Sequence, residues 1–587
     1  MSTTLQKWIH TLEEGKGSRV VKITVAILAF AVLALVYDMR CFNNFSTSEA
    51  MDVSQVARNI SEGHGFTTDY IRPLSLHLVE KHREDGRTLA GPHPDLANAP
   101  AYPLLLAGYM KIAPFDYEIS TTKYFGTFHP EIWIAIFNQL LFFIAVLLVY
   151  SLGKKLFDPR VGWLAAILFA LTELFWQFSV AGVSTMLALV LFLGLVRVLL
   201  RIHELGEADF PNNKKLLTKT LFAGLLLGLL FLTRYSFGWL VLPVLFFIGL
   251  SLRQAQIRNC IAVLFVFLLT ITPWLVRNYS ASGTLFGTAG YAVYQQTAGF
   301  PGDTIERTLN PDRQFSNFEV KQVGRKVVTN AREAFSKLPL LGGNWLTAFF
   351  LVGLLIPFQR TILSASRIFI LMALLVLLFV QSAGATHTTP TMPDVSGENL
   401  LIVLAPLIFI FGVGLFFILL DRLELFGFGV RSAMVTMFTL VISLPMIFEL
   451  LPPRKHPGAF PPYHPPLIQH ISQYLKSNEL MMSDIPAAVA WYGDRPCTIL
   501  TLTYKTGFLQ LNDDFKTINA LYISPRTLNQ PFLLQMYRPL LKKDESWERF
   551  ALESLSRGEI PGDFPLKHAR ADLLPDHLFL ADWERWR

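Results

Sequence analysis

Long apolar runs dominate the chain, and they are separated by short polar segments or by two large polar loops. A membrane-spanning helix needs about 20 mostly apolar residues, and the pattern predicts about eleven such spans. The predicted spans cover approximately 21–37, 132–150, 161–179, 182–200, 217–233, 235–252, 257–276, 341–358, 366–382, 399–420 and 428–450. The sequence therefore predicts a multi-pass α-helical membrane protein.

Composition agrees with this interpretation and gives the chain an orientation. Of the 587 residues, 52% are hydrophobic and 16% are charged, with a net charge of +7; soluble proteins carry about 25% charged residues. The short loops that would face the cytoplasm with an internal N-terminus, such as 153–160 and 253–258, each carry at least two basic residues. This distribution follows the positive-inside rule. It predicts a cytoplasmic N-terminus and no nucleic-acid partner.

The hydropathy pattern divides the chain into three parts. The first is a transmembrane domain over 1–450, whose large loops 38–131 and 277–340 are predicted to be extracytoplasmic. A proline-rich hinge, "LPPRKHPGAFPPYHPP", covers 451–466 and is too dense in proline for a helix. The segment 467–587 then alternates helix-like and strand-like patterns, which predicts a small extracytoplasmic α/β domain.

Two acids, Glu49 and Asp52, lie directly after the first predicted span. Residues 49–62 carry their apolar and polar side chains on opposite arcs of a helical wheel, which predicts an amphipathic helix along the membrane surface. The two acids are one turn apart at its start. Ser46 and Glu49 also fit a capping box that would stabilise the helix without any catalytic role. A carboxylate at the membrane surface suits a general base, and both interpretations remain open at this point.

Several motifs in the chain, taken in order, resemble one family. After the acid-bearing helix come four further segments: "ANAPAYPLLLAGYMKI" (97–112), "YSLGKKLFDPRVGWLAAILFAL" (150–171), "GLLLGLLFLTRY" (224–235) and "TPWLVRNYSASGTLFGT" (272–288). Together they resemble the polyprenyl-phosphate-dependent glycosyltransferases of the C-type (GT-C) membrane fold. Relatives in that group are the protein O-mannosyltransferases and the lipid A aminoarabinose transferases, of the family 39 type.

The resemblance implies a reaction and a base. A sugar on a polyprenyl phosphate is attacked at the extracytoplasmic face by an acceptor, with inversion at the anomeric carbon. In the family the base belongs to a short acidic motif in the first outer loop, which here falls on Ser48 and Glu49. Glu49 is therefore the first candidate for the base. Asp52 is the second, or a partner that orients the acceptor.

The leaving phosphate in such a reaction implies cations at the same depth as the base. Arg58 and Arg72 lie in the first loop, and Arg234 and Arg277 lie at the outer ends of two predicted spans. Arginine can hold a phosphate through two parallel hydrogen bonds. Snorkelling to lipid headgroups is the alternative for the two arginines at span ends.

The sequence also offers candidates for a substrate loop, but no spacing typical of a metal site. His64, in a glycine turn, and the glycine-flanked tyrosines Tyr291 and Tyr294 are candidates for contacts with substrate. No His or carboxylate spacing indicates a metal site, and among the family's members some use a divalent cation and others do not. The acceptor is left open between a lipid, a glycan and a protein.

Two other function classes compete with the enzyme. One is a transporter or flippase for a lipid-linked or anionic solute, which would be expected to place charged residues near mid-membrane. The other is a non-catalytic assembly protein of the cell envelope. The one-sided clustering of polar residues favours the enzyme, and the resemblance favours a bacterial inner membrane.

Overall fold

A computed structural model gives the fold of this chain. It describes residues 16–83, 91–119, 125–208, 212–252, 255–315, 319–356, 359–386, 395–423, 428–451, 463–528, 545–570 and 573–586. The described membrane-domain helices are α1 (Lys16–Cys41), α2 (Ser48–Glu62), α3 (Pro73–Arg83), α4 (Ala101–Met110), α5 (His129–Leu156), α6 (Pro159–Ala170), α7 (Glu173–Val180), α8 (Thr185–Gly206), α9 (Asn213–Thr233), α10 (Val241–Ser251), α11 (Gln256–Ser282), α12 (Asp312–Phe315), α13 (Val320–Lys337), α14 (Trp345–Leu355), α15 (Thr361–Gly384), α16 (Ala405–Arg422) and α17 (Phe428–Leu450). Short 3-10 turns cover Tyr235–Leu240, Gly287–Val293, Leu338–Gly342 and Leu400–Leu404.

Each of the approximately eleven predicted spans overlaps helical structure in the described residues. Among the described residues, eight helices are long and apolar enough to cross a membrane, and up to ten do so if each of two bent pairs is one span. The bent pairs are α6 with α7, at 56°, and Val320–Gly342 with α14, at 103°. The predicted span 235–252 is a shorter apolar helix, Tyr235–Ser251. The chain is therefore an integral membrane protein with a helical core.

The C-terminal segment forms the predicted α/β unit, and a strand from the first loop completes it. Its described elements are α18 (Pro465–Ser472), β4 (Leu480–Ser483), α19 (Pro486–Gly493), β5 (Cys497–Ile499), α20 (Thr506–Gln510), β6 (Ile518–Ile523), α21 (Trp547–Arg557), β7 (His568–Ala569) and β8 (Leu578–Ala581). The first loop contributes β2 (Tyr70–Ile71) and, in a separate pair, β1 (Thr67–Thr68) and β3 (His93–Pro94). The six-stranded sheet has the order β2-β5-β4-β6-β8-β7.

Register explains how this sheet is joined to the membrane domain. Strand β2 pairs in parallel with β5, with Tyr70 opposite Cys497. Strand β4 pairs in parallel with both β5 and β6, and β8 pairs antiparallel with both β6 and β7. One sheet therefore contains strands from both sides of the predicted domain boundary at 467. Residues 452–462 of the predicted hinge and the predicted helix over 531–541 lie outside the described residues.

A buried carboxylate at the start of α5 connects the C-terminal unit to the first loop through hydrogen bonds. Glu131 is fully buried. Its Oε1 accepts hydrogen bonds from the Trp491 indole at 2.9 Å and the Tyr492 hydroxyl at 2.6 Å, and its Oε2 accepts one from the Phe45 amide at 2.7 Å. Phe45 lies three residues before the start of α2, so these bonds fix the entry to the acid-bearing helix relative to α19.

A second contact joins the C-terminal unit to the other large loop. The guanidinium of Arg307 is almost fully buried, and it donates to the carbonyls of Leu500 at 2.8 Å and Thr501 at 2.9 Å, just beyond β5. Its neighbour Glu306 lies 3.9 Å from Arg72 of the first loop. Both large loops and the C-terminal unit therefore pack together on one side of the helix bundle.

Candidate active site

The acid-bearing helix α2 forms as predicted, but its start differs from the prediction. Thr47, rather than Ser46, caps the helix, because its hydroxyl accepts the Ala50 amide hydrogen bond at 3.3 Å. Gly63 ends it in the left-handed region, at φ 90°, where glycine is favoured. The helix α2 packs against α4 and α19, and most of its residues are buried on both the apolar and the polar arc.

Glu49 meets an arginine and a backbone amide from two distant parts of the chain. Nη2 of Arg234 donates to Oε1 of Glu49, and the Gly397 amide donates to Oε2 at 3.1 Å. Arg234 directly follows α9 as its C-cap. The side chains of Glu49 and Arg234 are 25% and 20% exposed. The pair therefore keeps partial access from outside the protein, which a reacting group requires.

The absence of a side chain at Gly397 allows the contact between Glu49 and Arg234. A Cβ atom at this position would overlap with the Arg234 guanidinium and with Oε1 of Glu49. The segment just before α16 thus approaches the ion pair with its backbone. Any larger residue would push the carboxylate or the guanidinium aside.

Asp52 lies one turn further along α2 in a different environment. Its side chain is only 3% exposed. Oδ2 accepts hydrogen bonds from Arg72 at 2.8 Å and from the Asn98 side chain at 3.0 Å. The Arg72 guanidinium also lies over the Tyr70 ring, with Cζ 3.9 Å from the ring centroid. Asp52 is thus held by buried partners, whereas Glu49 is partly open.

A second buried acid, Asp95, lies beside this pair and was missed by sequence reasoning. Its carboxylate accepts the amide hydrogen bonds of Ala97 at 3.1 Å and Asn98 at 3.2 Å. Burial and the negative charge of Asp52 raise the pKa of Asp95 to about 6, although Arg72 and the Ala97 amide act in the opposite direction. The bonds shape the turn that presents Asn98 to Asp52. The only sequence signal was its position just before the "ANAP" segment.

Arg277 is bound mainly by backbone carbonyls next to Asp95. It donates to the carbonyl of Asp95 at 2.5 Å and to that of Phe66 at 2.9 Å, and it lies over the Trp274 ring at 4.8 Å. These contacts hold the C-terminal end of α11 against the first loop. They leave Arg277 in a structural setting rather than in contact with Glu49.

Arg58 and His64 lie towards the far end of α2. Nine residues separate Arg58 from Glu49, which corresponds to about 13 Å along a helix axis. The Arg58 guanidinium pairs with Glu62 at 2.9 Å and with Asp494 at 3.1 Å, and it stacks over Tyr117. His64 is largely exposed and lies 3.8 Å from Glu62. Neither residue contacts the Glu49–Arg234 pair in the described structure.

The predicted tyrosines of the second large loop form an aromatic group of their own. Tyr291 and Tyr294 have ring centroids 6.5 Å apart, and both pack on Phe315. The turn that carries Tyr291 contacts α3 and α11. Of the nine predicted site residues, the structure brings Glu49 and Arg234 together and Asp52 and Arg72 together.

The described residues contain no group of three or more His, Cys, Asp or Glu side chains that could hold a metal ion. The residues that sequence reasoning missed are Asp95, Asn98, Glu131 and Gly397. Asn98 belongs to the segment 97–112, and Glu131 is an acid directly before the predicted span 132–150. Gly397 had no signal in the sequence beyond its place in an outer loop.

Comparison with known proteins agrees with the fold. Residues 121–276 match the family model of the dolichyl-phosphate-mannose-protein mannosyltransferases. This segment runs from just before α5 into α11 and contains Arg234, whereas Glu49 and Asp52 precede it. No curated protein sequence matches the chain significantly.

Solved structures match over most of the chain at low sequence identity. ArnT from Cupriavidus metallidurans, bound to undecaprenyl phosphate, has a TM-score of 0.54 at 10% identity, covering 97% of this chain and 99% of ArnT. The Archaeoglobus fulgidus oligosaccharyltransferase, in complex with Zn and sulfate, has a TM-score of 0.53 at 12% identity, covering 87% and 69%. The same organism's AglB, with an inhibitory peptide and a dolichol-phosphate, has 0.53 at 11% identity, covering 87% and 71%. The predicted resemblance is confirmed, and the chain has the fold of the C-type membrane glycosyltransferases.

Proposed function

We propose that this protein transfers a sugar from a polyprenyl-phosphate donor to an acceptor at the extracytoplasmic face of a bacterial inner membrane. The observation that carries the proposal is the contact between Glu49 and Arg234. It puts a partly exposed carboxylate next to a partly exposed guanidinium on the side of the bundle that also carries both large loops. An acid that takes a proton and a cation that binds a leaving phosphate are the two groups that such a transfer needs.

The family match and the structural neighbours support the donor class. The matched family is described by a dolichyl-phosphate-linked sugar, and two of the neighbours were solved with a polyprenyl phosphate or a dolichol-phosphate. A polyprenyl tail remains in the bilayer, so its phosphate lies at the depth where membrane helices end. Arg234 directly follows α9 at such a position.

The reaction we propose is a single displacement. The acceptor hydroxyl or amine forms a bond to the anomeric carbon as its proton passes to Glu49. The bond between that carbon and the phosphate oxygen breaks from the opposite face, which inverts the configuration. The electron pair leaves with the polyprenyl phosphate, whose charge Arg234 stabilises through N–H groups other than the one that contacts Glu49.

Asp52 takes a supporting role in this mechanism. Its carboxylate is buried between Arg72 and Asn98, so it is poorly placed to receive a proton from an acceptor. We infer that Asp52 and Arg72 hold α2 against the 95–98 turn and thereby orient Glu49. Arg72, Arg58 and Arg277 bind groups away from Glu49. Arg234 is the arginine that contacts Glu49, so it is the donor phosphate ligand we propose.

The proposal is tested by transfer assays on the purified full-length protein. A panel of radiolabelled polyprenyl-phosphate sugars is incubated with Glu49→Gln, Arg234→Gln and wild type, with and without EDTA, because the sequence leaves a divalent cation open. We expect Glu49→Gln to lower the turnover number at least a hundredfold, since a general base contributes about 10²–10⁴-fold. We expect Arg234→Gln to weaken donor binding as well.

The matched control is Glu118→Gln, which removes an exposed carboxylate from the same loop. It is expected to keep wild-type turnover. Wild-type turnover in Glu49→Gln, at an unchanged melting temperature, would contradict the mechanism. Failure of every lipid-linked sugar with the wild-type protein would contradict the donor class and return the transporter and assembly alternatives.

A further inference from the structure

Helix α13 presents an exposed stripe that combines cations with large apolar side chains. At 100° per residue, Lys321, Arg325, Val328, Arg332 and Phe335 fall within an arc of about 80°. All five are exposed, with Val328 and Phe335 at 70% and 64%. Among the described residues, none of the three cations takes part in a salt bridge.

The opposite face of α13 is firmly held, which fixes the direction of the stripe. Lys326 is almost fully buried and donates to the carbonyls of Ala292 at 2.7 Å and Val293 at 3.4 Å. The Asn330 side chain donates to the carbonyl of Ser382 at 3.0 Å, at the end of α15. With this face docked on the bundle, α13 cannot roll to hide the stripe.

The orientation of α13 relative to the next helix suits a membrane surface. The segment Val320–Gly342 is bent by 103° from α14. If the apolar helix α14 enters the bilayer along its normal, a helix bent by 103° from it lies close to the membrane plane. Trp345, which begins α14, is 61% exposed, and exposed tryptophans are enriched at the membrane–water interface.

We propose that the α13 stripe binds the headgroups of anionic phospholipids. Val328 and Phe335 would insert at the boundary of the acyl chains, while Lys321, Arg325 and Arg332 lie beside them at the level of the phosphates. We choose an anionic lipid by charge, because three exposed cations on one arc, with no salt-bridge partner among the described residues, fit an anionic surface better than a neutral one. This site is separate from Glu49 and Arg234 and does not depend on the proposed transfer reaction.

The test measures lipid retention by the full-length protein in detergent, by native mass spectrometry. Phosphatidylglycerol and phosphatidylcholine are titrated separately against wild type and the variant Lys321→Gln/Arg325→Gln/Arg332→Gln. Each cation near an anionic surface contributes about fivefold in affinity, so we expect the variant to lose at least about tenfold in affinity for phosphatidylglycerol. Its affinity for phosphatidylcholine is expected to stay unchanged.

Two further variants keep the result interpretable. Arg325→Lys/Arg332→Lys retains the charge and is expected to retain phosphatidylglycerol, so a loss there would contradict recognition by charge. Lys476→Gln/Lys567→Gln removes two exposed cations from the C-terminal unit and is expected to bind lipid as wild type does. Equal retention of both lipids by wild type, or unchanged binding in the triple variant, would overturn the proposal and leave the stripe to an acidic protein partner.

Discussion

Arg72 donates a 2.8 Å hydrogen bond to Asp52, and the two side chains are 12% and 3% exposed. Glu49 lies three residues before Asp52 on the same helix, yet its partner Arg234 comes from the end of α9 and is more open. Two acids that are neighbours in sequence therefore occupy a closed and an open ion pair. This difference is the basis for assigning them different roles.

The closed pair is expected to act on stability. Removing one partner of a buried ion pair leaves an uncompensated charge and costs about 3–5 kcal/mol. We therefore expect Asp52→Ala to lower the melting temperature in detergent by several degrees, while Glu49→Gln leaves it nearly unchanged. Activity per folded molecule should fall more in Glu49→Gln. An Asp52→Asn protein that melts like wild type but is inactive would make Asp52 the base.

The close approach of Gly397 predicts a steric effect on the open pair. The added methyl group of Gly397→Ala would overlap with Arg234 and Glu49, so we expect transfer to fall at least tenfold. The control is Gly384→Ala at the end of α15, where a Cβ meets no atom within 4 Å. Turnover and donor KM are measured for both variants. Equal activity in the two would show that the ion pair is not required in this geometry.

The hydrogen bonds of Glu131 predict a loss of stability that is coupled to Tyr492. Its two oxygens accept from three donors, and Glu131→Gln would turn an N–H group towards one of them. Leaving a buried donor unsatisfied costs about 1–3 kcal/mol, and we expect a corresponding fall in melting temperature. In a double-mutant cycle with Tyr492→Phe, the two losses should not add. Additive losses would mean that Tyr492 and Glu131 do not interact.

The raised pKa of Asp95 predicts a dependence of stability on pH. Burial raises this pKa to about 6, above the value of about 3.9 in an unfolded chain. Between these values the folded state binds the proton and the unfolded state does not, so stability falls as the pH rises from about 4 to about 6. The loss at neutral pH is about 3 kcal/mol.

Asp95→Asn removes the ionisation while keeping a side-chain acceptor for the turn. Its melting temperature is expected to fall less than that of wild type between pH 4.5 and pH 7.5. Asp116→Asn, an exposed acid in the same loop, provides the comparison and should follow wild type. A wild-type profile in Asp95→Asn would place the titrating group elsewhere.

Sequence patterns predicted the helical elements well because their cause is local. A segment in lipid must satisfy its own backbone hydrogen bonds, so each apolar run became a helix. The number of spans was less predictable. The break between Ala170 and Glu173, and the 103° turn before Trp345, divide apolar stretches that composition presents as continuous. The first-loop strand at Tyr70 could not be assigned to the C-terminal sheet, since its partner Cys497 is more than 400 residues away.

The candidate site divides in the same way. The sequence by itself determined that an acid-bearing helix follows the first span, because amphipathic spacing and capping are properties of neighbouring residues. It offered four arginines as equivalent candidates. Only the tertiary structure decided that Arg234 and Gly397, 185 and 348 residues from Glu49, meet its carboxylate. The reason is physical: charge and hydrogen-bond partners are chosen by distance in space, which the packing of helices from distant parts of the chain sets.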